Sequence, residues 1–409
     1  MDRIVYHTIF TDNFKFNSYT MNFLIPLNEK NATYASLLSQ VLKRGNEKYG
    51  KMDKIVARLE ELYGVNITVS SDKFGEMLAF SVQCYCMDDA FALDGEQIFE
   101  STLDLMSNIL FHPLRENGLF RSDFFSQEKS NHADTIRGII NDKRVFSMMR
   151  CKEIMFESSN YRFSSNGTLD CLEQITNASL YSFYQDVLAR SSIVVTYIGR
   201  KTAVKDLTEK YFMPLLSGEN LLTVKSAYKV PAEVRYAEES YDVAQGKLCL
   251  GFRFTKPADY FAARLFNVIF GGSPTSKLFM NVREKLSLCY YCSSVIDPLA
   301  HALFISSGIE FENYQIALDE IIKQFEDIKN GVISTEEFEN GKVYLLDFIK
   351  GMRDSHSALL ADKLRNYFLE IDYTPEQQLD IVSNLTKEQI IQVASCLELD
   401  TVYFLKGDM

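Results

Sequence analysis

The sequence predicts an α+β protein built from two homologous repeats, each a mostly antiparallel sheet covered by helices. Three observations predict it. Short apolar runs rich in β-branched and aromatic residues alternate with stretches of helical spacing along the chain. The order of these elements is replayed after a looser stretch near the middle, and Leu37, Leu38, Val41 and Leu42 return in order as Leu265, Phe266, Ile269 and Phe270. Each half also closes on a similar unit, ITNASLYSFYQDVLARSSIVVTYIG in the first and LTKEQIIQVASCLELDTVYFLKG in the second. A duplicated unit of about 200 residues accounts for all three. Convergent α+β patterning is the alternative.

Taken in order, residues 4–10 and 14–26 predict strands, and helical spacing covers Tyr34 to Leu42 and Asp53 to Tyr63. Gly64 stands where a glycine closes a helix. Val65–Ser70 and Met77–Cys84 are two further strands joined by a polar turn at Asp72–Glu76. Helical patterns follow at 96–111, 119–140 and 142–156, and 157–170 is polar and turn-rich. A helix at 177–189, the strand Ile193–Ile198 and a short helix at 203–215 end the first half. Between Ser217 and Gln245 Lys, Glu and Pro231 loosen the pattern, which predicts a linker. The second half then gives a strand at 247–254, helices at 258–270 and 275–286, and strands at 288–295 and 301–309. Helices at 313–329, 334–352, 355–370 and near 387–397 lead to a last strand, Thr401–Leu405. The expected domains are 1–220 and 235–409.

Composition narrows the function classes. With 46% hydrophobic and 13% aromatic residues, a chain of 409 residues can bury substantial cores. Its 43 basic against 55 acidic residues leave −12, which argues against a nucleic-acid or anionic-membrane surface. Residues 1–20 lack the basic-then-apolar layout of a secretory leader, and no run approaches the roughly 18 apolar residues of a spanning helix. Eight cysteines are scattered. The close pairs, Cys84-x-Cys86 and Cys289-x-x-Cys292, have no second pair or His run to complete a zinc site. Reduced thiols and a cytoplasmic location are expected.

The stretch carrying chemistry is Gly271 to Tyr291, GGSPTSKLFMNVREKLSLCYY. A Gly271-Gly272 break is followed by a Ser273-Pro274-Thr275 helix start, an amphipathic helix and a strand beginning near Leu288. The spacing Arg283-x6-Tyr290 lets a guanidinium at the helix end and a phenol on the next strand converge as donors on one pocket. The bland alternative is a surface Arg and a core Tyr at an ordinary helix–strand corner. This stretch resembles the Arg/Tyr segment in the C-terminal half of the insulinase, pitrilysin and mitochondrial-processing-peptidase family of zinc peptidases. There a GG-x-S-x-L-F turn precedes R-E-K-x-x-L-x-Y, and the Arg and Tyr hold substrate backbone and the developing oxyanion. The resemblance implies the metallopeptidase (inverzincin) fold, with 1–220 as a degenerate zinc-site half and 235–409 as the Arg/Tyr half.

In that family the first-half helix carries H-x-x-E-H, two imidazole ligands at i and i+4 with a Glu base between them. Here, in YASLLSQVLKRG, the three positions fall on Ser36, Ser39 and Gln40, and the distant Glu ligand falls on Thr135. None binds zinc usefully, and none is a base at neutral pH. The five histidines, His7, His112, His132, His301 and His356, offer no substitute pair. Ser36, Ser39, Gln40 and Lys43 form a polar stripe at i, i+3, i+4 and i+7. It is either a solvent face or the lining of a polar chamber.

The resemblance therefore implies a non-catalytic chain, most similar to short YmfF-like bacterial chains that lack the motif. Such a chain has no catalytic residue in cis and no cofactor of its own. It would pair with a zinc-bearing homologue, or with a second copy of itself. Arg283 and Tyr290 would then reach a peptide substrate at the partner's zinc, and Gly271 and Gly272 would help to guide that peptide. A peptidase-derived scaffold or peptide-binding protein with no proteolytic role is the competing reading. No nucleic-acid or membrane partner is expected.

Overall fold

The computed structural model describes residues 4–216 and 227–407. Among them fourteen α-helices, α1 to α14, and fourteen strands, β1 to β14, follow in chain order. The first half gives β1 (Ile4–Phe10), β2 (Phe16–Pro26), α1 (Glu29–Leu42), the two-residue strands β3 (Gly45–Asn46) and β4 (Gly50–Lys51), α2 (Met52–Glu61), β5 (Asn66–Phe74) and β6 (Met77–Met87). It continues with α3 (Ile98–Phe111), the small hairpin β7 (Arg115–Glu116) and β8 (Leu119–Phe120), α4 (Ser122–Gly138), α5 (Lys143–Met155), α6 (Leu169–Gln174), α7 (Asn177–Arg190), β9 (Ser192–Gly199) and α8 (Val204–Tyr211). The second half gives β10 (Arg235–Tyr241), β11 (Gly246–Phe254), α9 (Tyr260–Asn267), β12 (Cys289–Asp297), β13 (Ala302–Ile309), α10 (Tyr314–Lys329), α11 (Thr335–Met352), α12 (His356–Leu369), α13 (Pro375–Ser383), α14 (Lys387–Ala394) and β14 (Leu397–Gly407).

The repeat is explicit in the sheets. Each has five strands, in the orders β1-β9-β2-β6-β5 and β10-β14-β11-β13-β12. The two orders match strand for strand, and in both the first strand runs parallel to its neighbour while every other pairing is antiparallel. The helices that open the closing units are capped alike. Thr176 and Ser179 form a capping box on α7, and Thr386 and Gln389 form one on α14. The fold is thus the α+β architecture expected, two helix-covered five-stranded sheets.

Two compact units emerge, Met1–Arg137 with Phe163–Val224 and Asp354–Phe368, and Gly138–Arg162 with Lys225–Arg353 and Leu369–Met409. They are not contiguous halves, since α5 belongs to the second unit and most of α12 to the first. In the first unit alternation along β2 sends Tyr19, Met21 and Phe23 into a core with α1, α3 and α7, through Leu37, Leu38, Leu103, Leu180 and Val187. The other face of that sheet meets α12, where Leu364 packs on Leu24, Ala79 and Val194. In the second unit Phe252, Phe266 and Phe270 gather round Phe325 of α10. There α5 lays Phe146 and Cys151 on Cys249, Tyr403 and Leu405 of the sheet.

Two stretches depart from the sequence reading. The expected linker, 217–245, contains the strand β10, and its residues 217–226 lie outside the described residues. Its alternating burial is that of an edge strand with one face in solvent. The helix expected at 275–286 is a wider, π-helical segment at Leu278–Lys285.

Candidate functional site

The Arg/Tyr segment is built from unusual backbone. α9 starts under Asp259, whose carboxylate accepts from the Ala262 N–H at 2.7 Å, and runs into a π-helical turn at Val268–Gly272. At Ser273 the backbone becomes extended, φ −138° and ψ 162°, and the Ser273 hydroxyl donates back to the Val268 carbonyl at 3.0 Å. A second π-helical segment, Leu278–Lys285, then carries Arg283. Its wide turn shows in the Leu286 N–H, which reaches five residues back to the Asn281 carbonyl at 3.2 Å. Ser287 ends it in the left-handed region, φ 51°, and β12 follows.

Tyr290 is the extra residue of a bulge at the start of β12. Cys289 pairs with Ile309 and Tyr291 with Gly308, so Tyr290 has no partner in the ladder. Its ring is 63% exposed, and its hydroxyl donates to Glu310 Oε1 at 2.8 Å. That hydrogen bond raises the phenol above its ordinary value and keeps it a donor. Arg283 lies over the Phe279 ring, 4.6 Å from its centroid, with Nε 3.6 Å from Glu284 Oε1. Both side chains face acidic partners, and among the described residues no hydrogen bond joins them to each other. Cys289 lies between them in sequence, and its thiol is held below the usual value by a hydrogen bond with Cys292, then by Ser307 and the Arg283 charge, against burial.

Gly271 and Gly272 sit inside the first π-helical turn, and neither has a left-handed backbone. Gly271 is buried. A Cβ on it would stand 2.6 Å from Ser294 Oγ and 2.8 Å from the Ser294 amide nitrogen. Close approach of this turn to β12 is the structural reason for that glycine.

Ser36, Ser39 and Gln40, expected at the zinc positions, lie on α1, and Thr135 lies on α4. Asn28 caps α1 by accepting from the Asn31 N–H at 2.8 Å, which starts the helix at Glu29, before the expected Tyr34. Ser36 and Ser39 are buried at 7% and 2% exposure, so they do not form a solvent face. The Ser39 hydroxyl donates to the Ser36 carbonyl at 2.7 Å, and the Thr135 hydroxyl to the Asn131 carbonyl at 3.0 Å. With hydroxyls tied to backbone and a neutral amide at Gln40, these residues do not fit zinc. Among the described residues no group of three or more His, Cys, Asp or Glu is arranged to hold a metal.

An ion pair joins α4 to the turn just past α1. Glu128, almost fully buried, faces Arg44 at 3.2 Å and accepts from Asn131 Nδ2 at 3.2 Å. Burial pushes the nearby Lys43 amine down, and Glu128 partly offsets this. His132 is buried, and its Nε2 donates to the Asn166 carbonyl at 2.9 Å. Arg44, Phe279 and Glu310 were not singled out from the sequence. Phe279, four residues before Arg283 on one helical face, was the readable one.

Two comparisons with known proteins decide the family. A family model described as "Peptidase M16 inactive domain" matches residues 174–344, a stretch that includes Arg283 and Tyr290. The chain is 31% identical over 408 residues to the probable inactive metalloprotease YmfF of Bacillus subtilis (strain 168), covering 98% of this chain and 95% of that one. The chain belongs to the M16 peptidase family. An M16-type architecture extends over its whole length. A crystal structure of a conserved protein from Enterococcus faecalis V583 superimposes with TM-score 0.91 at 29% identity, covering 99% of this chain and 97% of that chain. The peptidase M16 inactive domain from Pseudomonas fluorescens gives TM-score 0.77 at 17% identity, covering 99% and 95%, which is a likeness of fold. No helix among the described residues is long and apolar enough to cross a membrane.

Proposed function

We propose that this chain is the non-catalytic, substrate-binding subunit of a heterodimeric zinc-dependent peptidase, supplying Arg283 and Tyr290 to a partner chain that carries the zinc. The observation that carries this reading is the contrast between the two sites. The metal-site hydroxyls of Ser39 and Thr135 are spent on their own helices. Arg283 and Tyr290 remain exposed, with solvent-facing acidic partners. The Arg283–Glu284 pair is exposed and therefore weak, and the Tyr290–Glu310 hydrogen bond is open to solvent, so a substrate carbonyl would compete for both donors. Arg283 would hold substrate backbone through its fixed charge. Tyr290, kept protonated, would donate to an oxygen that gains negative charge during peptide hydrolysis. The 31% identity to a probable inactive metalloprotease supports a non-catalytic role.

The test is reconstitution with a zinc-bearing M16 homologue from the same cell. Arg283→Ala or Tyr290→Phe should each lower kcat/KM of the complex by roughly 10²–10³-fold, with folding and assembly unchanged. Full activity in both variants would make the pair structural. It would favour the second reading, a peptidase-derived scaffold or peptide-binding protein. One observation already leans that way, since each side chain has its own acidic neighbour and the two do not hydrogen bond to each other.

A further inference from the structure

The face of the first unit's sheet that meets α12 carries a polar band beside the apolar patch of Leu24, Ala79 and Val194. Thr196, Thr20, Gln83 and Thr68 stand opposite one another on β9, β2, β6 and β5, forming one row across four strands. The flanking rows hold Ser18 beside Tyr85 and Asn22 beside Ser81. The matching face of the second unit receives α5 on Cys249, Tyr403 and Leu405. A cover that only had to pack a helix would need no such polar row. Where α12 begins, its cover stops short and leaves a cavity of about 580 Å³, within the range of small-molecule pockets. Ser18, Gln83, Thr68 and Tyr85 line it from the sheet, with Phe14 and His356 opposite.

Groups in and beside the lining have unused hydrogen-bonding capacity. Thr20 and Thr196, in the same row as Gln83 and Thr68 but outside the lining itself, are more than nine-tenths buried, and among the described residues their hydroxyl oxygens have no hydrogen-bond partner. Buried hydroxyls are rarely left so. The Gln83 amide reaches Ser18 Oγ only at 3.5 Å. His356 donates from Nε2 to the Phe16 carbonyl at 3.1 Å, and burial favours its neutral ring, so Nδ1 is an acceptor. Its ring lies tilted against Phe14, centroids 3.7 Å apart, and meets Tyr85 edge-on at 5.2 Å, while Tyr85 stacks on Phe16 at 4.8 Å, which adds an aromatic wall. The one formal charge in the lining is Asp354. Without a Lys or Arg there, phosphate and carboxylate ligands are disfavoured.

We propose that this cavity binds a neutral, multiply hydroxylated small molecule, a monosaccharide or close relative. Its hydroxyls would exchange hydrogen bonds with Gln83, Thr68 and Ser18, both as donors and as acceptors. Its C–H face would lie on Phe14 or Tyr85. The site is independent of Arg283 and Tyr290, which belong to the other unit.

Saturation-transfer NMR on the full chain tests it, using D-glucose, D-galactose, D-ribose and N-acetylglucosamine, with adenosine and inorganic phosphate as comparators. At least one saccharide should show transfer, and its affinity should fall at least tenfold in Gln83→Leu and in Phe14→Ala, each checked for native circular dichroism. Thr68→Val replaces Gln83→Leu if that variant does not fold. Absence of transfer from all four saccharides overturns the proposal. So does transfer from adenosine or phosphate alone, or saccharide binding that survives the folded variants unchanged.

Discussion

Replacing Gly271 by alanine separates packing from peptide guidance as the reason for the glycine. The residue is helical, so intrinsic propensity alone would make Ala better by about 1 kcal/mol. The new Cβ, however, meets Ser294 Oγ at 2.6 Å, Leu278 Cδ1 at 2.7 Å and the Ser294 amide nitrogen at 2.8 Å. Leu278 could turn aside, but Ser294 is fixed twice. Its backbone pairs with Ile305 in the β12–β13 ladder, and its hydroxyl donates to Asn267 Oδ1 at 2.8 Å. Overpacking against such a group lies towards the upper end of its usual range, about 3 kcal/mol. The net expectation is a loss of about 2 kcal/mol. Gly351→Ala in α11 is the control, because among the described residues nothing lies within 4 Å of an added Cβ and the same propensity should add about 0.5–1 kcal/mol. The sequence has no tryptophan, so urea unfolding is followed by far-ultraviolet circular dichroism and tyrosine fluorescence. If Gly271→Ala is as stable as the parent, the close-approach argument is wrong.

Thr196→Val keeps shape and removes a buried hydroxyl that has no partner among the described residues, so it should stabilise the first unit by about 1 kcal/mol in the same urea assay; a loss would show that the hydroxyl is satisfied in solution. His132 and His356 are both held below the ordinary value of 6.5, first by burial, with the Asn166 and Phe16 carbonyls acting the other way. The unfolded chain therefore takes up protons first, and the stability contributed by the neutral rings is complete above pH 6.5 and is lost as pH falls below it. Tm should begin to drop below that pH and drop less steeply in His132→Gln; identical slopes would refute the assignment. Glu337→Ala leaves the Lys277 ammonium, 5% exposed and 2.8 Å from its carboxylate, buried without that partner, at a cost of about 3 kcal/mol. Adding Lys277→Met should restore part of the loss, and no recovery in that double variant would count against the ion pair as the cause.

The fold was legible where a segment's own residues decide its state. β2 and β9 declare themselves by β-branched and aromatic runs, and the repeated closing units announce the duplication. α13 was equally readable and was missed, since Thr374, Pro375 and Gln377 spell a capping box with proline at the first helical position. β10 was not readable in the same way. It holds its place by pairing with β14, Arg235 opposite Thr401, and no local pattern reports a partner so far along the chain. The candidate site divides likewise. That Ser36, Ser39, Gln40 and Thr135 are poor zinc ligands is legible in residue type alone. The bulge that turns Tyr290 outward, the Glu310 that holds its hydroxyl and the Arg44–Glu128 pair all come from long-range packing.

The exchange of α5 and α12 between units has a consequence for how such a chain can be made. Suppose the polypeptide were severed near residue 220. The leading fragment would keep α5, with Phe146 and Cys151 bare, and would lack the helix that shields Leu24, Ala79 and Val194. The trailing fragment would have the converse defect. Neither could mature alone without presenting an apolar strip to the solvent, whereas the two together could each complete the other. A single-repeat ancestor faces the same arithmetic, because one copy could be covered only by a helix lent from a second. Fusion of two such copies into one polypeptide makes that mutual loan permanent and frees it from dilution.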